Sequence, residues 1–389
     1  MVSEPRILFL SYTPPQQTWG GAMTFHRHFC ERDDFTTRVA TDASGYSRPG
    51  SILFDVPRWW RRLRNSRLNR LACGLELLHG GLLLPPRVMK QARSFAPDCV
   101  FTVAGSWDWT TLAAQRVARV LQVPLVASFN DWFDYPWFRG LPSQRRSVEK
   151  RFRRFYREAD LALCTSEGMR DELGAHPNSH VLYPLGGKAA DMPPVALDRN
   201  EPATVFFCGN LGEWYGRMLE GLVRAAWQQA SNLRFRIYGG APSWSDDFER
   251  EARARGVYGG RVPFDELRSE AAAADVLLLP MGFGDDHAVV ERTSFKTKFL
   301  DYLAFGRPIL VWGPSYCSAA RTASEFDSAE VVAHPSEAEC LLTLQSLAAD
   351  KERQCTLVAN SRKMYEDRFH PDRIHGGLVE KIRALIPKR

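Results

Sequence analysis

The sequence predicts an α/β protein with two doubly wound parallel sheets. Short apolar runs alternate with segments of helical periodicity along almost the whole chain, a pattern that buries a parallel sheet under helices on both faces. The alternation stops once, in the Gly/Pro-rich polar stretch LGGKAADMPPVALDRNEP (185–202), and then starts again. A length of 389 residues leaves room for two cores of ordinary size.

In the first half the strand candidates are RILFLSY (6–12), TTRVATD (36–42), DCVFTVAG (98–105), VPLVASFND (123–131), DLALCTS (160–166) and SHVLYPL (179–185). Between them, DWTTLAAQRVARVLQ (108–122) and SEGMRDELGAH (166–176) have helical spacing and acceptable ends. In the second half TVFFCGNLG (204–212), LRFRIYGG (233–240), DVLLLP (275–280) and PILVWGP (308–314) read as strands. Helices are expected in MLEGLVRAAWQQ (218–229) and WSDDFEREARARG (244–256). The last segment, 371–389, sets Ile374, Leu378, Ile382 and Leu385 on one helical face that must pack on something. The expected divisions are 1–187, a linker at 188–201, 202–370, and a terminal helix at 371–389.

Composition narrows the class. A hydrophobic fraction of 44% with 25% charged residues is that of a soluble globular protein. The eight cysteines are scattered without a C-x-x-C pair, which fits reduced thiols in a cytoplasmic protein and argues against a zinc site or disulfide framework. MVSEPRILFLSYTPP lacks the pattern of a signal peptide and reads as the first core strand. No apolar run has the length of a membrane span. A net charge of +6 suits anionic small molecules, anionic lipid or nucleic acid and decides between none of them. No recognised nucleic-acid module accompanies the charge, so nucleic acid is not an expected partner.

Doubly wound sheets bind ligands outside the carboxyl ends of their strands, so two such Rossmann-like domains are expected to face a cleft. Gly20 and Gly21 follow the first strand, Gly209 ends the strand VFFCGN, and Gly239 with Gly240 ends RFRIYGG. Each is either an ordinary turn or a place where backbone approaches a ligand. The sharper signal is SFKTKFLDYLAFGRPIL (294–310), a helix between two strands. Thr297 and Lys298 put a hydroxyl, a cation and free backbone N–H groups at its positive end, and Asp301 follows about one turn on. Such a set holds a diphosphate and a ribose; the alternative is a plain surface Lys–Asp pair.

This run and the order of β/α units resemble the GT-B glycosyltransferases, most closely family 4 of the nucleotide-sugar enzymes. The match falls on Thr297, Lys298, Asp301, Tyr302, Gly306 and Pro308. The resemblance implies an N-terminal acceptor-binding domain, a C-terminal domain binding a nucleotide-diphosphate sugar, and a terminal helix crossing back to the first domain. It also implies Arg and Lys after the first C-terminal strand, where this chain has Asn210 and Tyr215; Arg217 and Lys298 are the candidate replacements. The first Glu of the family's pair falls on Thr293, with Glu291 two residues away, and the His-Asp of the first domain appears as Asn130-Asp131.

If the transfer inverts the anomeric centre, Asp131, at a strand's carboxyl end, is the first choice of base and Asp108 the second. The alternative for an Asp there is a turn or helix cap. If configuration is retained, the leaving phosphate itself takes the proton. Trp107, Trp109, Trp132 and Tyr135 lie in loops of the first half and are candidates to stack on the acceptor, with core packing as the alternative.

Two basic stretches, PRWWRRLRNSRLNRL and SQRRSVEKRFRRFYRE, mix cations with aromatic rings. They suggest a peripheral lie on anionic lipid through Arg58, Trp59, Trp60, Arg61 and Arg62; a solvated helix face is the alternative. The expectation is a metal-independent, cofactor-free hexosyltransferase that uses a nucleotide-sugar donor and a glycan or lipid-linked acceptor, in bacterial surface polysaccharide assembly. It would be cytoplasmic, on the inner face of the plasma membrane. The rivals are a nucleotide-sugar epimerase using His287, Asp285, Asp286 and Glu291, and a non-catalytic scaffold of the same fold.

Overall fold

The computed structural model describes residues 4–18, 20–105, 107–186 and 202–386, apart from the side chains of Glu213, Phe264 and His287. The linker expected at 188–201 lies outside the described residues. The chain forms two compact units: Met1–Leu185 with Thr293–Phe295 and Asp372–Arg389, and Gly186–Arg292 with Lys296–Pro371.

The first unit is built on seven strands: β1 (Arg6–Leu10), β2 (Thr36–Thr41), β3 (Ile52–Leu53), β4 (Cys99–Val103), β5 (Leu125–Phe129), β6 (Leu161–Cys164) and β7 (Ser179–Val181). Their order is β3-β2-β1-β4-β5-β6-β7, every pair parallel. The second unit has six: β8 (Thr204–Asn210), β9 (Arg234–Gly240), β10 (Tyr258–Gly260), β11 (Val276–Pro280), β12 (Ile309–Trp312) and β13 (Glu330–Val332). These run β10-β9-β8-β11-β12-β13, again all parallel. The sequence expectation of an α/β chain with two doubly wound sheets therefore holds.

The central strands β4, β5 and β11 are buried at every residue, as strands covered on both faces must be, which is why they read as unbroken apolar runs. Each strand order reverses once, beside β1 in the first unit and beside β8 in the second. In doubly wound sheets that reversal opens a crevice at the strands' carboxyl ends.

The basic stretch 57–71 is not one helix. Helix Arg58–Arg64 stops at a turn in which Ser66 N–H donates to Leu63 O and the Ser66 hydroxyl accepts from Leu68 N–H; helix Asn69–His79 then begins. Serine competes for backbone hydrogen bonds in this way and breaks helices. The break puts Arg67 and Arg70, which fit no single helical face, on a turn and a second helix. The terminal helix Pro371–Leu385 buries Ile374, Leu378, Val379 and Ile382 in the first unit, each removal from water being worth about 1.5–3 kcal/mol.

Candidate functional site

The run 294–310 forms helix Thr297–Leu303 in the second unit, with Phe299, Leu300, Tyr302 and Leu303 buried on its inner face. Gly306, at φ 63, adopts the left-handed backbone that lets the chain leave the helix and enter β12. The phenol oxygen of Tyr302 accepts the Cys208 N–H at 3.2 Å, tying the helix to the end of β8. Lys298 is thereby carried to that strand end: a methyl group at Gly209 would lie 2.3 Å from its Nζ. At φ 143 with a cation where a Cβ would be, only glycine fits position 209.

The Lys298 ammonium lies 3.8 Å from the centroid of the Phe207 ring and 5.7 Å from that of Tyr215. The aromatic faces attract it, but burial dominates and lowers its pKa to about 8. Asp301, half-buried and one turn on, acts in the opposite direction and is the smaller influence. Thr297 is half-buried at the helix start.

The other glycines of the second unit sit beside this point. Gly209 pairs with Gly239 and Asn210 with Gly240 across β8 and β9. A Cβ at Gly239 would strike the Gly209 carbonyl oxygen at 2.1 Å, so the two strand ends are in close backbone contact. The Asn210 carboxamide oxygen accepts the Gly212 N–H at 3.0 Å and closes the turn into helix Glu213–Gln228, on which Arg217 is exposed. Beyond β11, Glu291 is fully buried: its Oε1 accepts the Gly282 N–H at 3.0 Å and its Oε2 lies 3.8 Å from Lys296 Nζ. Glu291 thus pins the β11 loop. Asp285 and Asp286 are exposed in a short 3-10 turn of the same loop.

In the first unit Gly20 opens helix Gly21–Phe29 at φ 60, with open space where a side chain would project. Asp131 follows β5 and is half-buried; its Oδ1 accepts from the Ser294 hydroxyl at 2.8 Å. Ser294 is held there by its neighbours: the Ser166 hydroxyl donates to the Thr293 carbonyl at 2.6 Å, and the Phe295 ring packs edge-on against Tyr183. Thr293 and Ser294 are buried in this unit.

Asp108 is the N-cap of helix Trp109–Leu121, its Oδ1 accepting from Thr110 N–H at 2.6 Å and from the Thr110 hydroxyl at 2.5 Å. Burial pushes its pKa up to about 7. Its carboxylate faces the helix it caps, so the expectation of Asp108 as a base gives way to a structural role.

Three of the four acceptor rings also need correction. Trp107 is 1% exposed; it donates to Leu77 O at 2.9 Å and packs on Phe152 and Phe155. Trp109 donates to Asp42 at 2.7 Å and packs on Phe54, while Trp132 packs on Phe152 under the Arg153 guanidinium. Loops that cover a sheet end can bury their rings as core, and each indole N–H here has or needs an internal partner. Tyr135 is half-buried, and Trp137 is the exposed ring of that loop.

The basic stretches divide as well. Trp60 is buried and donates to Glu76 at 3.0 Å, so it belongs to the fold and not to a lipid-facing surface. Phe152, Phe155 and Tyr156 of the second stretch are fully buried, and Arg145, Arg151, Arg153 and Arg154 pair with Asp134, Glu149, Glu158 and Glu172, which makes it a solvated helix face. In contrast Arg58, Trp59, Arg61, Arg62, Arg67 and Arg70 are exposed together with Leu68, Leu71, Leu75 and Leu82. Among the described residues no helix is long and apolar enough to cross a membrane.

Sequence reasoning passed over Ser294 and the Phe207 ring, and named Tyr215 only as a position that lacks the family's cation. It also passed over Arg261, whose guanidinium lies against Gly240. Nothing local marks any of them: each acquires its place through a neighbour far away in sequence.

Two all-parallel, doubly wound units with a cation seated at the strand reversal of the second define the GT-B architecture of sugar-nucleotide transferases. Comparison with known proteins agrees. Residues 25–184 match the sequence model of Glycosyltransferase Family 4, and residues 217–376 match that of a family described as glycosyl transferase-like. The chain belongs to the GT-B glycosyltransferases and is a transferase. By sequence, no curated protein matches it.

Among solved structures, sucrose-phosphate synthase from Thermosynechococcus elongatus is similar at a TM-score of 0.64 and 14% identity, over 98% of this chain and 99% of that one. HepE of Anabaena in complex with UDP-glucose gives 0.64 and 15%, over 98% and 100%. WaaG, a glycosyltransferase involved in lipopolysaccharide biosynthesis, gives 0.59 and 15%, over 97% and 99%. At these identities the likeness is one of fold.

Proposed function

We propose that this glycosyltransferase moves a sugar from a nucleotide-diphosphate sugar to a glycan or lipid-linked acceptor in bacterial surface polysaccharide assembly. The observation that carries the donor half is the Lys298 ammonium seated on Gly209 at the carboxyl end of β8. An acceptor hydroxyl oxygen attacks the anomeric carbon as the C–O bond to the diphosphate breaks. The bonding electrons leave with the phosphate, whose growing charge Lys298 stabilises in a partly desolvated place where such an interaction is strong. Asp301 accepts hydrogen bonds from the ribose, and glycine at the end of β8 is what lets the Lys298 cation reach the strand end. The acceptor proton goes to Asp131 in an inverting transfer, or to the leaving phosphate in a retaining one. These steps need no metal or cofactor.

The similar HepE structure holds UDP-glucose, so uridine nucleotides head the donors to try. Thermal shift with UDP, GDP, ADP and their sugars, on the native protein and on Lys298→Ala and Asp301→Ala, tests the reading. Selective stabilisation by one nucleotide, lost in both variants, supports it. A folded protein that no nucleotide stabilises would instead be a scaffold.

A lipid-linked acceptor accords with the exposed surface of helices Arg58–Arg64 and Asn69–His79. Leu68, Leu71 and Leu75 recur there at helical spacing beside Trp59 and five exposed arginines, an arrangement that suits an anionic bilayer surface. Co-sedimentation with phosphatidylglycerol vesicles, absent with phosphatidylcholine, is the expected result.

A further inference from the structure

We propose that Arg261 is a second cation of the donor site and binds the diphosphate together with Lys298. This rests on the nucleotide-sugar reading and adds a residue to it.

The two side chains are placed in the same way. At Gly209, the end of β8, an added Cβ would meet Lys298 Nζ at 2.3 Å; at Gly240, the end of the adjacent β9, it would meet Arg261 Nε at 1.9 Å, Cζ at 2.6 Å and Nη2 at 2.7 Å. Each cation therefore lies directly on bare backbone at the carboxyl end of its strand. The strands are neighbours, with Asn210 opposite Gly240. Adjacent strands are about 4.8 Å apart, comparable with the extent of a diphosphate.

Charge supports the assignment. A bound diphosphate carries more negative charge than Lys298 alone neutralises, and Asn210 and Tyr215 bring no cation. Some exposed arginines of this unit are matched by carboxylates, Arg224 with Glu220, Arg250 with Asp247, Arg253 with Glu249 and Arg255 with Glu251. Among the described residues Arg268, Arg321 and Arg362 are not, so what distinguishes Arg261 is its place on the strand end. Arg261 is exposed, and among the described residues it has no such ion pair. A guanidinium presents a planar fork of donors suited to phosphate oxygens, and glycine at 240 is what admits it to the strand end.

Calorimetric titration of UDP, GDP and ADP, each with its parent nucleoside, separates the outcomes. Relative to the native protein, Arg261→Ala weakens the preferred nucleoside diphosphate roughly tenfold to hundredfold and leaves the nucleoside unchanged. Arg261→Lys recovers part of the loss. Gly240→Ala, which displaces the guanidinium without removing it, reproduces the effect and adds nothing when combined with Arg261→Ala.

Equal weakening of nucleoside and diphosphate would overturn the phosphate assignment in favour of a base contact. Unchanged binding in Arg261→Ala, with binding lost in Lys298→Ala, would overturn this inference alone. A native protein that binds no nucleoside diphosphate would overturn the donor reading as well.

Discussion

The Lys298 ammonium lies 3.8 Å from the centroid of Phe207, against the backbone of Gly209. A cation in that position gives up water and is recompensed only in part by an aromatic face, which is why its pKa falls to about 8. A phosphate binds the protonated form, so nucleoside diphosphate affinity should be level below about pH 8 and fall as pH rises through it, by up to about tenfold per unit. Titration calorimetry from pH 6.5 to 9.5 checks this. Lys298→Arg, charged throughout that range, should remove the fall even if it binds more weakly.

Asp131 accepts a hydrogen bond from the Ser294 hydroxyl at 2.8 Å, which holds the carboxylate in one orientation. In an inverting transfer Asp131→Asn should lower kcat by roughly a hundredfold or more. Ser294→Ala, which frees that carboxylate to rotate, should lower kcat by roughly tenfold while leaving nucleotide binding unchanged. An unchanged kcat would remove Ser294 from the role of positioning the base.

The terminal helix is held by a buried pair of imidazoles. His375 Nδ1 lies 3.0 Å from His28 Nδ1, and His375 Nε2 lies 3.0 Å from Asp34, with Arg32, Asp372 and Arg383 nearby. Burial, the leading cause for both, pushes His28 well below the ordinary histidine value and lowers His375 despite Asp34. The folded state thus favours neutral rings. Stability is full above about pH 6.5, the unfolded value, and is lost as pH falls from there toward the lowered folded values. Melting temperature followed from pH 7.5 to 5 should show this decline, and His28→Phe should flatten it.

Adjacent tryptophans should behave oppositely. Trp60→Ala removes a buried ring and the donor to Glu76, and should cost about 3 kcal/mol or more in chemical denaturation. Trp59, 62% exposed, should change stability by less than about 0.5 kcal/mol on replacement by Ala, yet lower binding to anionic vesicles.

Much of the fold was legible because its signals are local. Runs such as DVLLLP and DCVFTVAG are apolar at consecutive positions because β11 and β4 are covered on both faces. Short elements escaped: Ile52–Leu53 and Tyr258–Gly260 are strands only because β2 and β9 pair with them. The candidate donor region was partly legible for a similar reason, since Lys298, Asp301 and the Gly306 stop lie within one helix and its exit.

The sequence by itself determined the α/β class, the restart of the pattern in a second sheet, and the lysine at the start of the helix after Thr297. These depend on periodicity and on neighbours a few residues apart. Tertiary structure decided what chain-distant packing controls. It turned Trp107, Trp109, Trp132 and Trp60 inward, gave Asp108 to a helix cap, brought Ser294 to Asp131, and laid Arg261 on Gly240. An aromatic ring or a guanidinium in a loop has the same local sequence whether it faces the core or a ligand. Its direction is set by which surfaces the folded sheets leave for it, and those come from residues tens or hundreds of positions away.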